Sequence, residues 1–375
     1  MTQLFSSEEL RQTLDDQLDA LFRPSETNGF WHESQNRLLR ALKFQVDEQD
    51  RFIWSADLRE CHRYVPFALI GIMQWRISRL ANDSFDDKLI RNLQRYAVML
   101  ESDEQFESMP SDCVGPLLYS FSTAHRVWPD ATFADIARRL SNCSVQRFSH
   151  SIDELSLFLM GLAAYEDKVT PGMQERIREL TENLRACQDA KGLYRLKGMP
   201  ESFRHQNQMC TIWGLVNADM ALRQSENLAS IRRCLSYTVA RRMQPDGALL
   251  WHHHRNFFHS AFTMSRQILT AEERESRRLY SCHQVFFVYA AQAYRQISGD
   301  DSFDEPVRRA MSWLYGNNVR GENLFQRTGI GVPMRMMTKS GRFQLKSQLF
   351  IGSYEIGGLI MALVSLLEST MEHSA

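Results

Sequence analysis

The sequence alternates between two kinds of helical segment, and this alternation constrains the fold more than any other feature. One kind carries apolar residues at i, i+3, i+4 and i+7 with charges between them, as in a helix with one wet face. These segments are Glu33–Val46, Asp86–Glu101, Phe133–Leu140, Gly172–Cys187, Glu226–Met243 and Phe303–Tyr315. The other kind is apolar nearly all round, which indicates helices covered on every side. These segments are Tyr64–Ile77, Cys113–Val127, Ile152–Tyr165, Gln208–Leu222, His283–Ile297 and Tyr354–Leu367.

Six amphipathic segments alternating with six apolar ones predict an all-α fold, an (α/α)6 toroid in which outer helices surround inner ones. A solenoid of helical hairpins is the alternative and would show the same pattern with less burial. Only Gly341–Ile351 resembles a strand. We predict an N-terminal amphipathic helix within residues 1–28, followed by the toroid domain over residues 29–375.

The composition limits the partners. The chain has 375 residues, 43% of them apolar, and a net charge of −1, which gives no sign of a nucleic-acid or anionic-membrane partner. The seven cysteines are dispersed, which is typical of a reduced protein. The N-terminus lacks the pattern of a signal peptide, and the apolar runs are too short or too interrupted to span a bilayer. We therefore expect a cytoplasmic protein without a membrane span, and leave its oligomeric state open.

Two loops repeat the order Gln, polar turn, Gly, aromatic: Gln188 to Tyr194 and Gln244 to Trp251. Such a glycine is expected to end the preceding helix in a left-handed conformation, with the aromatic folded back on it. Together with Tyr280–Gln284 and Trp313–Asn318, the loops resemble the six-hairpin glycosidase superfamily. The resemblance extends over residues 30–370 in the alternation of the helical segments. It implies the toroid fold and an enzyme that acts on glycans as a hydrolase, polysaccharide lyase or sugar epimerase.

The same loops also resemble the repeats of terpene cyclases of the squalene-cyclase type, which share the toroid. That family's Asp-x-Asp-Asp proton donor is missing; only Asp83 to Asp87 comes near it. An apolar, aromatic-lined central cavity would favour a terpene cyclase, whereas a polar one would contradict it.

In a toroid the N-termini of the inner helices share one end of the ring, so we expect the active site there. Acid and base candidates lie at or near these starts. Glu355 sits on an apolar inner helix, where a raised pKa would suit a general acid, although a buried pair with an arginine is the simpler explanation. The predicted catalytic residues are Asp57, Glu60, Tyr280, His283 and Glu355.

Cations at helix starts oppose the helix dipole, so they indicate an anionic ligand such as a uronate, sulfate or phosphate, or else an acidic partner side chain. The candidates are Arg59, His62, Arg63, Arg204 and His205. Gln208 and Gln284 add polar groups, and Tyr280 is a candidate stacking residue. Trp251 with His252 and His253 is expected to form a sugar platform or wall within a predicted lid or wall, residues 251–278. Asp246 is either a turn former or a binding carboxylate.

The remaining polar residues have simpler explanations. Ser111, Asp112, Asp153 and Glu154 fit helix caps better than catalysts. Three consecutive histidines, 252–254, point in different directions on any regular backbone, which disfavours a metal site. Cys282-His283 is similar to a zinc pair of lanthionine cyclases, but Gln284 replaces the glycine that follows there. We therefore expect no metal and no cofactor.

These observations favour a carbohydrate-active enzyme with an anionic sugar or glycan as its small-molecule or polymeric substrate. Hydrolysis, elimination and epimerisation all need general acid–base groups, so the sequence does not separate them. A non-catalytic binding scaffold is a third hypothesis. It predicts that substitution of Glu60, His283 and Glu355 leaves function intact.

Overall fold

A computed structural model describes residues 5–48, 52–59, 63–148, 150–196, 204–250, 278–341 and 350–372. Its centre is a ring of six largely buried helices. They are α2 (Tyr64–Ile77), α5 (Ser111–Val127), α7 (Ile152–Ala164), α9 (His205–Leu222), α11 (Ser281–Ser298) and α14 (Ser353–Glu372). Each packs against the next, and α14 packs against α2. The ring is closed, which confirms the predicted (α/α)6 toroid and excludes the solenoid.

The outer helices are amphipathic and bury one face against the inner ring. They are α1 (Ser7–Phe22), α3 (Asp86–Glu101), α6 (Ala131–Ser141), α8 (Pro171–Ala186), α10 (Leu228–Arg242) and α12 (Asp304–Leu314). α1 packs on α14, where the Gln17 amide donates to the carbonyl of Gly331 at 2.7 Å. α1 thus serves as the outer partner of α14, and the boundary predicted after residue 28 stays a prediction.

The outer helix predicted at Glu33–Val46 is wrong. That stretch forms a 3-10 turn (Glu33–Gln35) and the strands β2 (Arg37–Leu38) and β3 (Ala41–Val46), while β1 (Trp31–His32) pairs with β2. Asn36 has φ 46°, a left-handed conformation that interrupts a helix. The backbone of β3 then bonds to β4 (Phe52–Asp57) on one side and β7 (Phe350–Gly352) on the other. The backbone of this stretch therefore forms hydrogen bonds to distant strands and not the hydrogen bonds of a helix.

Short strands border the end of the ring at which the inner helices begin. β7 leads directly into α14, and β5 (Arg278–Tyr280), paired with β6 (Met336–Thr338), leads into α11. The strand expected within 341–351 is present only as the start of β7, and residues 342–349 lie outside the described part. Two further short helices, α4 (Asp103–Ser108) and α13 (Leu324–Arg327), lie in connecting loops.

Glycine allows the ring to close tightly. A Cβ on Gly71 of α2 would lie 2.0 Å from the carbonyl oxygen of Gly357 in α14, so the two backbones touch where the last inner helix meets the first. A larger residue at either position would push the helices apart.

The repeated loops differ in detail from the prediction. α8 ends at Ala186, and Gly192 (φ 91°) lies beyond it, in a turn closed by the bridge between Gln188 and Tyr194. Gly247 (φ 97°) occupies the equivalent turn after α10. The left-handed glycines are therefore turn residues and not helix caps. Tyr194 is fully buried, as expected for an aromatic that folds back.

α14 also passes a length and hydropathy test for a membrane span over Ser353–Met371, but 61% of that window is buried inside the protein. This burial fits the core helix of a ring. The six cysteines within the described ranges are free thiols.

Candidate active site at the mouth of the ring

The first turns of the inner helices surround a cavity of about 510 Å³, which we call the mouth cavity. Four arginines and two acidic residues contribute to its wall, so it is polar. Its lining residues are Arg63, Tyr64, Phe67, Ser111, Arg147, His150, Ser151, Ile152, Asp153, Glu154, Leu196, Arg204, Gln206, Asn207, Arg335 and Tyr354. The site lies at the end predicted from the sequence.

One side of the mouth cavity is built from the starts of α5 and α7. The Ser111 hydroxyl donates to Glu154 Oε2 at 2.6 Å, across 43 residues of sequence. Asp153 accepts from Arg63 Nη2 at 3.1 Å, and Arg63 also lies 3.7 Å from Asp112. We call these five residues the open side of the mouth.

The two neighbouring carboxyl groups of the open side have different partners. Burial raises the pKa of Glu154, the Ser111 hydrogen bond opposes this, and the nearby Asp153 and Asp112 raise that pKa further. Asp153 instead faces the cation of Arg63, whose pKa is raised by Asp153 and Asp112 against the effect of burial. Glu154, with its raised pKa, is thus suited to hold a proton, while Asp153 is paired with the cation of Arg63.

Arg147 adds positive charge to the same wall. Its guanidinium donates to the main-chain carbonyls of Phe106 and Glu107, both at 3.3 Å, and to that of Met109. Within the described residues no carboxylate forms an ion pair with Arg147. Its charge is therefore held in place by backbone dipoles and remains available to an anion. Arg204, predicted to bind substrate, lies in the same wall.

Glu355 lies behind the opposite wall and is 4% exposed. Its carboxylate accepts from Arg335 Nε at 2.5 Å, the Gly352 amide at 2.8 Å and the Tyr354 hydroxyl at 3.2 Å. Burial raises the pKa of Glu355, while Arg335 and both other donors act against it. These three contacts are structural, so a buried ion pair describes this residue better than a general acid does. Arg335 is the member that reaches the cavity.

Asp57, at the end of β4, does not fit the predicted catalytic acid. It is 1% exposed and surrounded by cations, with Arg59 Nη2 at 2.7 Å, Arg40 at 3.3 Å and Lys43 at 3.4 Å. The hydrogen bond from Arg59 lowers the pKa of Asp57 to about 2. Such a carboxylate holds no proton to donate near neutral pH. Asp57 and Glu355, with their arginines, form what we call the closed side of the mouth.

Two of the predicted histidines lie in the core. His205 and His283 are fully buried, with ring centroids 5.0 Å apart, and His205 Nε2 bonds the carbonyl of His283 at 3.0 Å. Burial lowers the pKa of His205 to about 3, which keeps it neutral. These rings pack behind the mouth cavity and do not line it.

The predicted glutamines also make backbone contacts. Gln208 accepts from the Tyr194 amide at 2.8 Å and donates to its carbonyl at 2.7 Å, so it fixes the repeated loop. Gln284 is fully buried, and its amide donates to the carbonyl of Tyr280 at 3.3 Å. Both amides hold the main chain around the inner helices.

Tyr280 and Asp246, which were also predicted to belong to the site, contact neighbouring residues of the fold. Tyr280 is 4% exposed, and the Arg335 guanidinium lies 5.6 Å from its ring centre. Asp246 accepts from the Ala248 amide at 3.1 Å, as a turn former does. Glu60, His62, Trp251 and His253, with the rest of the predicted lid to residue 277, lie outside the described residues.

Several residues that the sequence argument set aside line the mouth cavity or contact its lining residues. Ser111, Asp112, Asp153 and Glu154 fit caps by type and position, yet their side chains contact one another's helices and Arg63. A signal in the sequence could have indicated them: two adjacent acids, Asp153 and Glu154, stand at the start of one apolar helix, and a cation, Arg63, stands at the start of another. Nothing local marked Arg147, which reaches the cavity from a 3-10 turn (Val145–Phe148).

Comparison with known proteins supports the fold. No protein-family model matches the sequence, and no curated protein does. Solved structures match over nearly the whole chain. They include a cellobiose 2-epimerase from Spirochaeta thermophila, with TM-score 0.66 and 11% identity, covering 99% of this chain and 100% of its own. A glycosyl hydrolase family 88 protein from Bacteroides vulgatus gives 0.62 and 12%, covering 97% and 99%.

An unsaturated glucuronyl hydrolase from Streptococcus agalactiae gives a TM-score of 0.59 with 10% identity, over 98% of this chain and 94% of its own. These similarities confirm the toroid fold, which is the fold that the resemblance to six-hairpin glycosidases implied. At such low identity the fold is what they show.

Proposed function

We propose that the protein is a carbohydrate-active enzyme that hydrolyses an anionic sugar or glycan in the mouth cavity. The observation that carries this proposal is the open side: a carboxyl with a raised pKa, Glu154, beside an arginine-paired carboxylate, Asp153, in a polar cavity. Hydrolysis needs one carboxyl that gives a proton and one that takes it.

In the proposed reaction Glu154 donates its proton to the oxygen of the bond that breaks. The Asp153 carboxylate takes a proton from the water that adds to the sugar carbon. One water is consumed and no oxidant is needed. Hydrolysis fits better than elimination by a tyrosine base, because burial raises the pKa of Tyr354 well above its usual value and disfavours a phenolate.

The anionic character of the substrate follows from the arginines. Arg147 and Arg204 lie in the wall, and guanidinium groups suit the planar carboxylate of a uronic acid. The structural neighbours described as glycosyl hydrolase family 88 and unsaturated glucuronyl hydrolase support this choice by analogy. The polar lining argues against the terpene-cyclase alternative, which requires an apolar cavity.

The test is a set of oligosaccharides with and without uronic acids, followed by the release of new reducing ends. We expect cleavage of uronate-containing substrates, and Glu154→Gln is expected to lower kcat by about 10²–10⁴-fold. Glu175→Gln is the matched control, because Glu175 is a largely exposed acid on α8. Arg204→Met is expected to raise KM for uronate substrates more than for neutral ones.

If no substrate is cleaved, or if Glu154→Gln and Glu175→Gln behave alike, the proposal is wrong. Uronate binding that survives Glu154→Gln without any turnover would support the binding scaffold instead. We also propose a cytoplasmic location, which the six free thiols among the described cysteines support.

A further inference from the structure

A second cavity opens at the other end of the ring, where the inner helices end. Its volume is about 500 Å³, close to that of the mouth cavity, and we call it the far cavity. Five of the inner helices contribute residues to its wall, and α14 completes it. The members that carry the argument are Gln74, Ile77, Tyr119, Asn217, Met220 and Tyr289.

The far cavity has hydrogen-bonding groups that carry no charge. Gln74 Nε2 donates to the Tyr289 hydroxyl at 2.6 Å, and Gln74 also bonds the Tyr119 hydroxyl. Asn217 bonds Tyr289 and donates to the Trp213 carbonyl at 2.8 Å. Burial raises the pKa values of both tyrosines, so they stay neutral. The wall thus offers hydroxyl and amide groups from four helices.

Three exposed apolar side chains stand at the rim of the far cavity, together with the exposed Arg126 and Arg223. Ile77 is 49% exposed, Val169 69% and Met220 48%, and all three line the cavity. They are three of the eight exposed large apolar side chains within the described ranges. Apolar side chains clustered at the edge of a polar hollow are typical of a binding surface and not of a surface that only faces water.

Aromatic side chains separate the far cavity from the mouth. Phe67, which lines the mouth cavity, packs on Trp213 with ring centroids 5.8 Å apart, and Trp213 packs on Tyr289 at 5.3 Å. Phe286 lies against both Phe67 and Trp213. The two cavities are therefore distinct compartments, and a ligand in one does not compete directly with a ligand in the other.

We propose that the far cavity is a second binding site, for a neutral saccharide. Hydroxyl and amide groups match the hydroxyls of a sugar, while the apolar side chains Ile77, Val169 and Met220 at the rim match the C–H faces of its rings. Arg126, Arg223 and Glu368 also line the cavity, and because their charges are of both signs they do not select a sugar of one charge. This proposal does not depend on the reaction proposed for the mouth.

The experiment uses cellobiose and maltose as probes, with binding to the full-length protein measured by calorimetry and by saturation-transfer NMR. We expect saturable binding of at least one of them. The double variant Tyr289→Phe/Asn217→Leu is expected to raise Kd by about tenfold, since it removes two hydrogen-bonding groups. Met220→Trp, at an exposed position that leaves the core intact, is expected to block binding. Arg63→Met, in the mouth, is the control and should leave Kd unchanged.

Absence of saturable binding by both disaccharides up to about 50 mM overturns the proposal. So does a Kd that changes by less than about threefold in both far-cavity variants. Binding that is lost in Arg63→Met but kept in Met220→Trp would place the sugar in the mouth and would also overturn it. Loss of glycan cleavage in Glu154→Gln with unchanged disaccharide binding would support the two sites separately.

Discussion

The open and closed sides of the mouth present carboxyl groups at similar places in the fold, but with opposite consequences. On the closed side, Asp57 and Glu355 are at most 4% exposed and are surrounded by donors, so their charges stabilise the strands and the start of α14. On the open side, Asp153 and Glu154 line a cavity, although Asp153 itself is only 5% exposed. The number of partners around a carboxyl, and not its position at a helix start, separates a structural acid from one that is available for chemistry.

The largest effect expected from this difference concerns Arg335. Arg335→Met leaves Glu355 buried without its cation, and loss of one partner of a buried pair costs about 3–5 kcal/mol of unfolding free energy. Urea denaturation measures the loss. Arg63→Met on the open side is the matched comparison: it leaves Asp153, whose side chain is 7% exposed, without its cation, but we expect a smaller loss because the Arg63 side chain is 45% exposed and Asp153 borders a cavity. Equal losses in both variants would contradict the division into two sides.

A second variant sharpens the same point. Arg335→Met/Glu355→Leu removes both charges, so we expect it to recover most of the stability lost in the single variant. A double variant as unstable as Arg335→Met alone would mean that packing of Arg335, whose guanidinium lies 4.1 Å from the Phe350 ring centre, matters more than its charge.

Asp57 is expected to give an intermediate effect that depends on pH. Its pKa is about 2 in the folded protein, below its ordinary value of 3.8, so folding favours the ionised form. The resulting stability, about 2 kcal/mol, is fully present above pH 4 and is lost as pH falls towards 2. Asp57→Asn should lose this amount at neutral pH and flatten the acid dependence. Unfolding free energies measured between pH 2 and 6 test this, and identical slopes for both proteins would contradict it.

Glu154 is expected to show the opposite sign and a smaller effect. Burial raises its pKa above 4.5, so the folded state binds the proton more tightly than the unfolded state. Stability is therefore present at low pH and declines as pH rises above 4.5 through the raised value. Glu154→Gln should remove that decline. The same pH series measures it, and a variant that loses stability at neutral pH would show that the ionised carboxylate is structural.

The smallest effect is expected from Ser111. Its hydroxyl lowers the pKa of Glu154 through a hydrogen bond of 2.6 Å, so Ser111→Ala should raise that pKa while costing about 1 kcal/mol of stability or less. NMR titration of the Glu154 side-chain carboxyl measures the change. Ser108→Ala, on α4 outside the mouth, is the control. A pKa that stays the same or falls would remove Ser111 from the site.

The sequence by itself determined the ring. A helix that is apolar all round must be covered on every side, and one with a single apolar stripe must lie outside, so twelve alternating segments predict a double ring without knowledge of any contact. One predicted helix of the ring, Glu33–Val46, was wrong because strand pairing with distant residues outweighed local periodicity. The location of the mouth followed from the same pattern.

Only the tertiary structure decided which acids can act. The partners that distinguish Glu154 from Glu355 lie far away along the chain or in a loop: Ser111 is 43 residues from Glu154, and Arg63 is 90 residues from Asp153. From the local sequence alone, Ser111 and Glu154 fit helix caps, whereas Glu355 stood out as an acid on an apolar helix. Burial and hydrogen bonding set the pKa of a carboxyl, and both depend on residues that folding brings together.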